Sequence, residues 1–81
     1  MNSFNDQQGI EYFIGDVIQF SWNQYKGIFG IILEIIPNDA DGVIKIQEVD
    51  EDLKSRSLLF GFQIGCLPPM SLVQRGKKEA I

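Results

Sequence analysis

Apolar and polar residues alternate with a period of two along much of this chain, the signature of strands that bury one face. Ile18, Phe20 and Trp22 fall on one side of such a stretch and Val17, Gln19 and Ser21 on the other, with Gly15-Asp16 as the turn that starts it. Asn23-Gln24-Tyr25-Lys26-Gly27 is polar and ends in glycine, as connections between antiparallel strands often do. A second strand is predicted from Ile28 to Ile36, rich in β-branched residues and closed by Pro37, which has no N–H to give a ladder. Both of its faces are apolar, which suits a central strand, and Gly30 marks a predicted bulge or bend within it.

Asn38-Asp39-Ala40-Asp41-Gly42 supplies the residues of a tight hairpin, and a third strand is predicted from Val43 to Val49. Asp50-Glu51-Asp52 is too charged to continue the ladder, so residues 50 to 57 are expected to leave the sheet as a loop. Leu58, Phe60, Phe62 and Ile64 then share one face, while Leu59, Gly61, Gln63 and Gly65 share the other. Pro68-Pro69 interrupts, and Met70-Ser71-Leu72-Val73 is read as a short 3-10 turn followed by a closing strand. Residues 1–10 are polar and aperiodic, which predicts a flexible N-terminal arm, and residues 75–81 are expected to fray, leaving one domain over 11–74.

Five short strands with Gly and Pro turns predict an all-β fold, a small five-stranded barrel, because closure hides the edges and apolar faces of so small a sheet. Gly15-Asp16-Val17, Lys26-Gly27-Ile28-Phe29-Gly30-Ile31-Ile32 and the Pro-Pro-Met-Ser-Leu-Val ending resemble the Src-homology-3-like small barrels and, more loosely, the KOW-type domains of transcription and translation proteins. The resemblance covers roughly residues 12 to 74 and implies the barrel with its 3-10 turn before the last strand. It would also carry RNA binding from the KOW-type domains, whose loops are basic. Here the stretch from Glu34 to Asp52 holds seven acids against Lys45 alone.

Composition narrows the function classes. Seven basic and eleven acidic residues give a net charge of −4, which disfavours a phosphate backbone as partner. With no histidine and a single cysteine, neither a Cys/His metal site, nor a Ser-His-Asp triad, nor an internal disulfide can be assembled. Cys66, with no histidine to activate it, is expected to be a buried or semi-buried thiol. The window from Pro37 to Glu48 places Asp39, Asp41, Gly42 and Glu48 at calcium-loop positions, but proline stands where the first ligand belongs and strands flank it, so it is read as a hairpin turn. No catalytic residue, metal or cofactor is predicted. The longest apolar run falls far short of the ~20 residues of a membrane helix, and the first residues lack the pattern of a secretory leader, so a cytoplasmic protein is expected.

The candidate binding residues are the aromatics Trp22, Tyr25 and Phe29 around the first hairpin, and the acids Asp50, Glu51 and Asp52. Aromatics exposed together would form a groove for a protein partner. A non-catalytic protein-interaction module or small subunit of a larger complex is therefore the first expectation, and a homo-oligomer fits the apolar second strand. The alternatives are a small acidic inhibitor of the phage type, presenting carboxylates to the basic channel of a nucleic-acid enzyme, and an RNA- or ribosome-associated barrel using Lys26, Lys54, Arg56 and the cations Arg75, Lys77 and Lys78.

Overall fold

The computed structural model describes residues 3–37 and 42–76. Over these residues the chain forms strands β1 (Ser3–Asn5), β2 (Glu11–Phe13), β3 (Val17–Phe20), β4 (Phe29–Pro37), β5 (Gly42–Val49), β6 (Ser55–Gln63) and β7 (Met70–Gln74). Two single 3-10 turns, Asn23–Tyr25 and Ile64–Cys66, complete it, so the described fold is all-β. β1 and β2 pair as a small antiparallel sheet, and the other five follow the order β6-β5-β4-β3-β7.

Three expectations about the sheet need correction. The edge strands β6 and β7 do not pair with one another, so the five-stranded sheet is open and the predicted barrel closure is absent. The 3-10 turn before the last strand lies at Ile64–Cys66, ahead of Pro68-Pro69, and all of Met70–Gln74 is strand. The loop expected over 50–57 is shorter, because β6 already begins at Ser55.

The N-terminal residues correct another. Ser3–Asn5 pairs with Glu11–Phe13 where a loose arm was expected, and the Phe4 and Tyr12 rings stack with centroids 5.3 Å apart. Both rings are buried in the same cluster as Ile18, Phe20, Ile32, Ile35, Ile44 and Ile46 of the larger sheet. The hairpin thus supplies apolar cover that an open sheet cannot give itself, and burying two aromatic side chains contributes several kcal/mol, about 1.5–3 each.

β4 shows how register protects this core. Gly30 and Ile32 face inward, and strict alternation would send Glu34 in after them. The pairing with β5 instead shifts between Ile32↔Ile46 and Glu34↔Lys45, so Leu33 is an extra residue, Glu34 is exposed and Ile35 turns inward. The irregularity was expected at Gly30, but Gly30 pairs regularly with Ile18 and Glu48. Gly30 is there for space, since a Cβ would collide with Cγ2 of Ile46.

Opposite ends of the chain meet at the buried Asp16, which is 1% exposed. Its Oδ2 accepts the Phe13 N–H (2.9 Å) and Nη1 of Arg75 (2.9 Å), and its Oδ1 accepts the Gly76 N–H (2.7 Å). Arg75 also donates to the Glu11 carbonyl at 2.8 Å and lies 5.6 Å from the centre of the Phe13 ring. Residues 75 and 76, expected to fray, are the second half of a latch. The remainder of that tail, with Lys77 and Lys78, lies outside the described residues.

Candidate functional site

The segment between β3 and β4 folds back tightly because its backbone groups pair across it. The Phe20 N–H donates to the Ile28 carbonyl, Gly27 N–H to the Phe20 carbonyl and Tyr25 N–H to the Trp22 carbonyl. Gly27 adopts φ +90, a conformation open to glycine at little cost. The Ser21 N–H reaches the Pro69 carbonyl, which ties this segment to the approach of β7.

That fold-back builds an aromatic row. Trp22, 37% exposed, lies on Tyr25 with centroids 5.4 Å apart. Tyr25 meets Phe60 edge-on at 5.3 Å, and Phe60 stacks on Phe62 at 5.9 Å. Buried Phe20 anchors the row from beneath, 5.2 Å from Phe60. Phe60 and Phe62 belong to β6, whose outer edge carries no neighbouring strand and whose Leu58 and Leu59 are 44% and 58% exposed. The aromatic row thus ends on a strand that stands at the edge of the sheet.

The six residues singled out from the sequence divide into two groups. Trp22 and Tyr25 join the row just described. Phe29, Asp50, Glu51 and Asp52 line a separate concavity of about 380 Å³ with Glu48 and Arg56 among its other walls. Phe29 makes no ring contact with Trp22 or Tyr25, so the three aromatics do not form one groove.

The acids differ among themselves. Oδ1 of Asp50 accepts the N–H groups of Asp52 and Lys54, both at 2.9 Å, and so holds its own turn together. Glu48 faces Arg56 at 3.5 Å. Glu51 and Asp52 are exposed, and among the described residues their carboxylates have no hydrogen bond or ion pair. Of the cations proposed for an RNA surface, Arg56 is thus engaged with Glu48 and Arg75 with Asp16.

Sequence reasoning missed Leu53. The turns Asp6–Ile10 and Asp50–Lys54 are the same device: in each, the aspartate Oδ1 accepts the N–H groups two and four residues on, its N–H donates to the fifth residue's carbonyl, and its carbonyl accepts the fourth residue's N–H. The fourth residue has positive φ in both, +87 at Gly9 and +64 at Leu53. A leucine here costs about 1–2 kcal/mol relative to its usual backbone conformation. The shared spacing of Asp6 to Gly9 and Asp50 to Leu53 was the readable signal.

Two further side chains complete the chemical inventory. Cys66, expected to be at least partly buried, is exposed, because the 3-10 turn at Ile64–Cys66 carries the chain off the end of β6. Burial, with the neighbouring Asp6 carboxylate second, pushes the Tyr12 phenol up to about 12. Among the described residues no group of His, Cys, Asp and Glu has the arrangement of a metal site. The calcium-like window falls partly on residues 38–41, outside the described residues, and its remainder is Pro37 at the end of β4 and Gly42 to Glu48 in β5. No described helix is long and apolar enough to cross a membrane.

Compared with family models, with curated proteins and with solved structures, the chain matches none.

Proposed function

We propose that this chain is a small non-catalytic protein-interaction module, Src-homology-3-like in plan, that takes up an extended segment of a partner protein along β6. The strand order β6-β5-β4-β3-β7 and the presence of a 3-10 turn between β6 and β7 support the plan. One observation carries the function: exposed Trp22 leads through half-buried Tyr25 to Phe60 on a nine-residue strand at the open edge of the sheet. An added strand would gain main-chain hydrogen bonds from that edge and side-chain contacts from the row. Rigid aromatics give large contact area for little conformational entropy, which favours recognition of short segments.

The test is selection from a displayed library of random nine-residue peptides, followed by amide chemical-shift mapping. Enriched peptides should move the Trp22 indole and β6 amide signals and slow hydrogen exchange along Ser55–Gln63. Trp22→Ala, at an exposed position that leaves the core intact, should weaken them at least about tenfold, in the range of an interface anchor. Peptides that bind equally well to Trp22→Ala, or that leave β6 unmoved, would refute the reading.

A further inference from the structure

A second apolar surface lies on the other side of the sheet. Val17 and Val49 are 2% and 3% exposed, yet neither belongs to the main core cluster. Both side chains alternate away from the inward residues Ile18 and Ile46, and at Val17 a cleft of about 510 Å³ opens between β3, β4, β7 and the Asp50–Lys54 turn. Its apolar walls are Val17, Phe29, Leu53 and Val73, and its rim carries Glu51 and Asp52. Val73 is 48% exposed and Leu53 37%, so the cleft is unfilled apolar surface.

Leu53 points to the cleft as a site. The identical turn at Asp6 places glycine at the strained position, whereas here a leucine is kept at φ +64 and its side chain walls the cleft. Strain of this kind persists where the residue serves something beyond the turn. Charge then selects the occupant. Asp50 is taken up by its own turn and Glu48 by Arg56, while Glu51 and Asp52 are uncompensated among the described residues, on a chain of net charge −4. A phosphate backbone is repelled by such a rim, and an apolar side chain flanked by lysine or arginine fits both wall and rim.

We propose that this cleft is a second docking site, for an extended protein segment in which an apolar residue sits beside basic ones. It is independent of the aromatic row and of the β6 edge, and neither enters its argument.

The probe is the peptide Lys-Leu-Lys-Leu-Lys, titrated into 15N-labelled protein at low salt, with Glu-Leu-Glu-Leu-Glu as its charge-reversed counterpart. The basic peptide should shift the amides of Phe29, Leu53 and Val73 and the acidic one should not. The double substitution Glu51→Gln, Asp52→Asn should weaken binding about tenfold and flatten its dependence on salt. Leu53→Gly should weaken it several-fold while thermal stability holds, because glycine suits the turn and only the wall is lost. Trp22→Ala should bind as the parent does, which separates failure here from failure of the module reading. Shifts confined to other surfaces, undiminished binding by Leu53→Gly, or self-association through the cleft seen by sedimentation without peptide would each overturn the proposal.

Discussion

Replacing Asp16 by alanine should be among the most damaging single changes available to this protein. The substitution removes a buried carboxylate, taking the acceptor from the Phe13 and Gly76 N–H groups and one of the two acceptors from Nη1 of Arg75, which keeps the Glu11 carbonyl. Three hydrogen bonds to a charged acceptor, at roughly 1.5–3 kcal/mol each, set an upper bound of about 9 kcal/mol. Much of that is recovered, because Arg75 is half exposed and rehydrates, and desolvating the carboxylate opposed folding in the first place. A net loss of about 3–5 kcal/mol remains, against a total of about 5–15 kcal/mol for natural domains and the lower part of that range for a chain this small. Arg75→Ala should cost less, about 2 kcal/mol, since two N–H groups still hold the acid. Gly76→Ala attacks the same latch sterically, its Cβ meeting the Gly15 carbonyl carbon at 2.7 Å. Urea unfolding monitored by circular dichroism gives the ranking, with constant m-values certifying that midpoints report stability. A loss below about 1 kcal/mol for Asp16→Ala, or an equal loss for Arg75→Ala, would refute the account of a carboxylate saturated chiefly by backbone donors.

Three further outcomes follow from single side chains. The Tyr12 phenol, raised to about 12 from an ordinary 10.0, is protonated in the fold at pH values where the unfolded chain ionises, so its contribution is intact below pH 10 and vanishes on the way to pH 12. That loss is about 2–3 kcal/mol, and the difference between parent and Tyr12→Phe in alkaline denaturation isolates it. Leu53→Gly should change stability by less than about 1 kcal/mol, because relief at positive φ offsets the lost side chain, whereas Gly9→Leu at the matching position should cost about 1–2 kcal/mol in the same thermal assay. Gly30→Ala should cost about 1–3 kcal/mol through its collision with Ile46, and Ile46→Ala in the same chain should make the Gly30 change nearly neutral, a coupling measured by a double-mutant cycle.

The five strands of the main sheet were legible because each repeats its alternation several times or ends on proline or glycine. The β1–β2 hairpin was not, for three-residue strands contribute one inward residue each, Phe4 and Tyr12, and a period needs a second. Closure failed as a prediction because pairing of β6 with β7 is a long-range choice, and the hairpin covers the core in its place. Asp16 and Arg75 looked like turn and tail residues, since a bond across 59 positions leaves no local trace. The candidate aromatics were chosen by chemistry and separated by geometry: Phe29 lies two residues beyond the glycine at φ +90 that ends the fold-back holding Trp22 and Tyr25. Asp50 was read as surface charge, and its place as the acceptor of its own turn emerged only from backbone N–H directions.

The latch at Asp16 also sets a schedule for the newborn chain. Phe13 and Asp16 leave the ribosome early, but the partners that complete the carboxylate's shell are residues 75 and 76, and β7 reaches β3 only when 70–74 have emerged. Until then Asp16, in the turn ahead of β3, is an acid that has no reason to enter an apolar interior, with only the Phe13 N–H to receive it. A chain cut short at Gln74 keeps every strand of the sheet and still lacks what seals it. Completion of the fold therefore waits for residues 75 and 76, and a change that displaces Arg75 and Gly76 from Asp16 would loosen the sheet without altering a residue of the aromatic row.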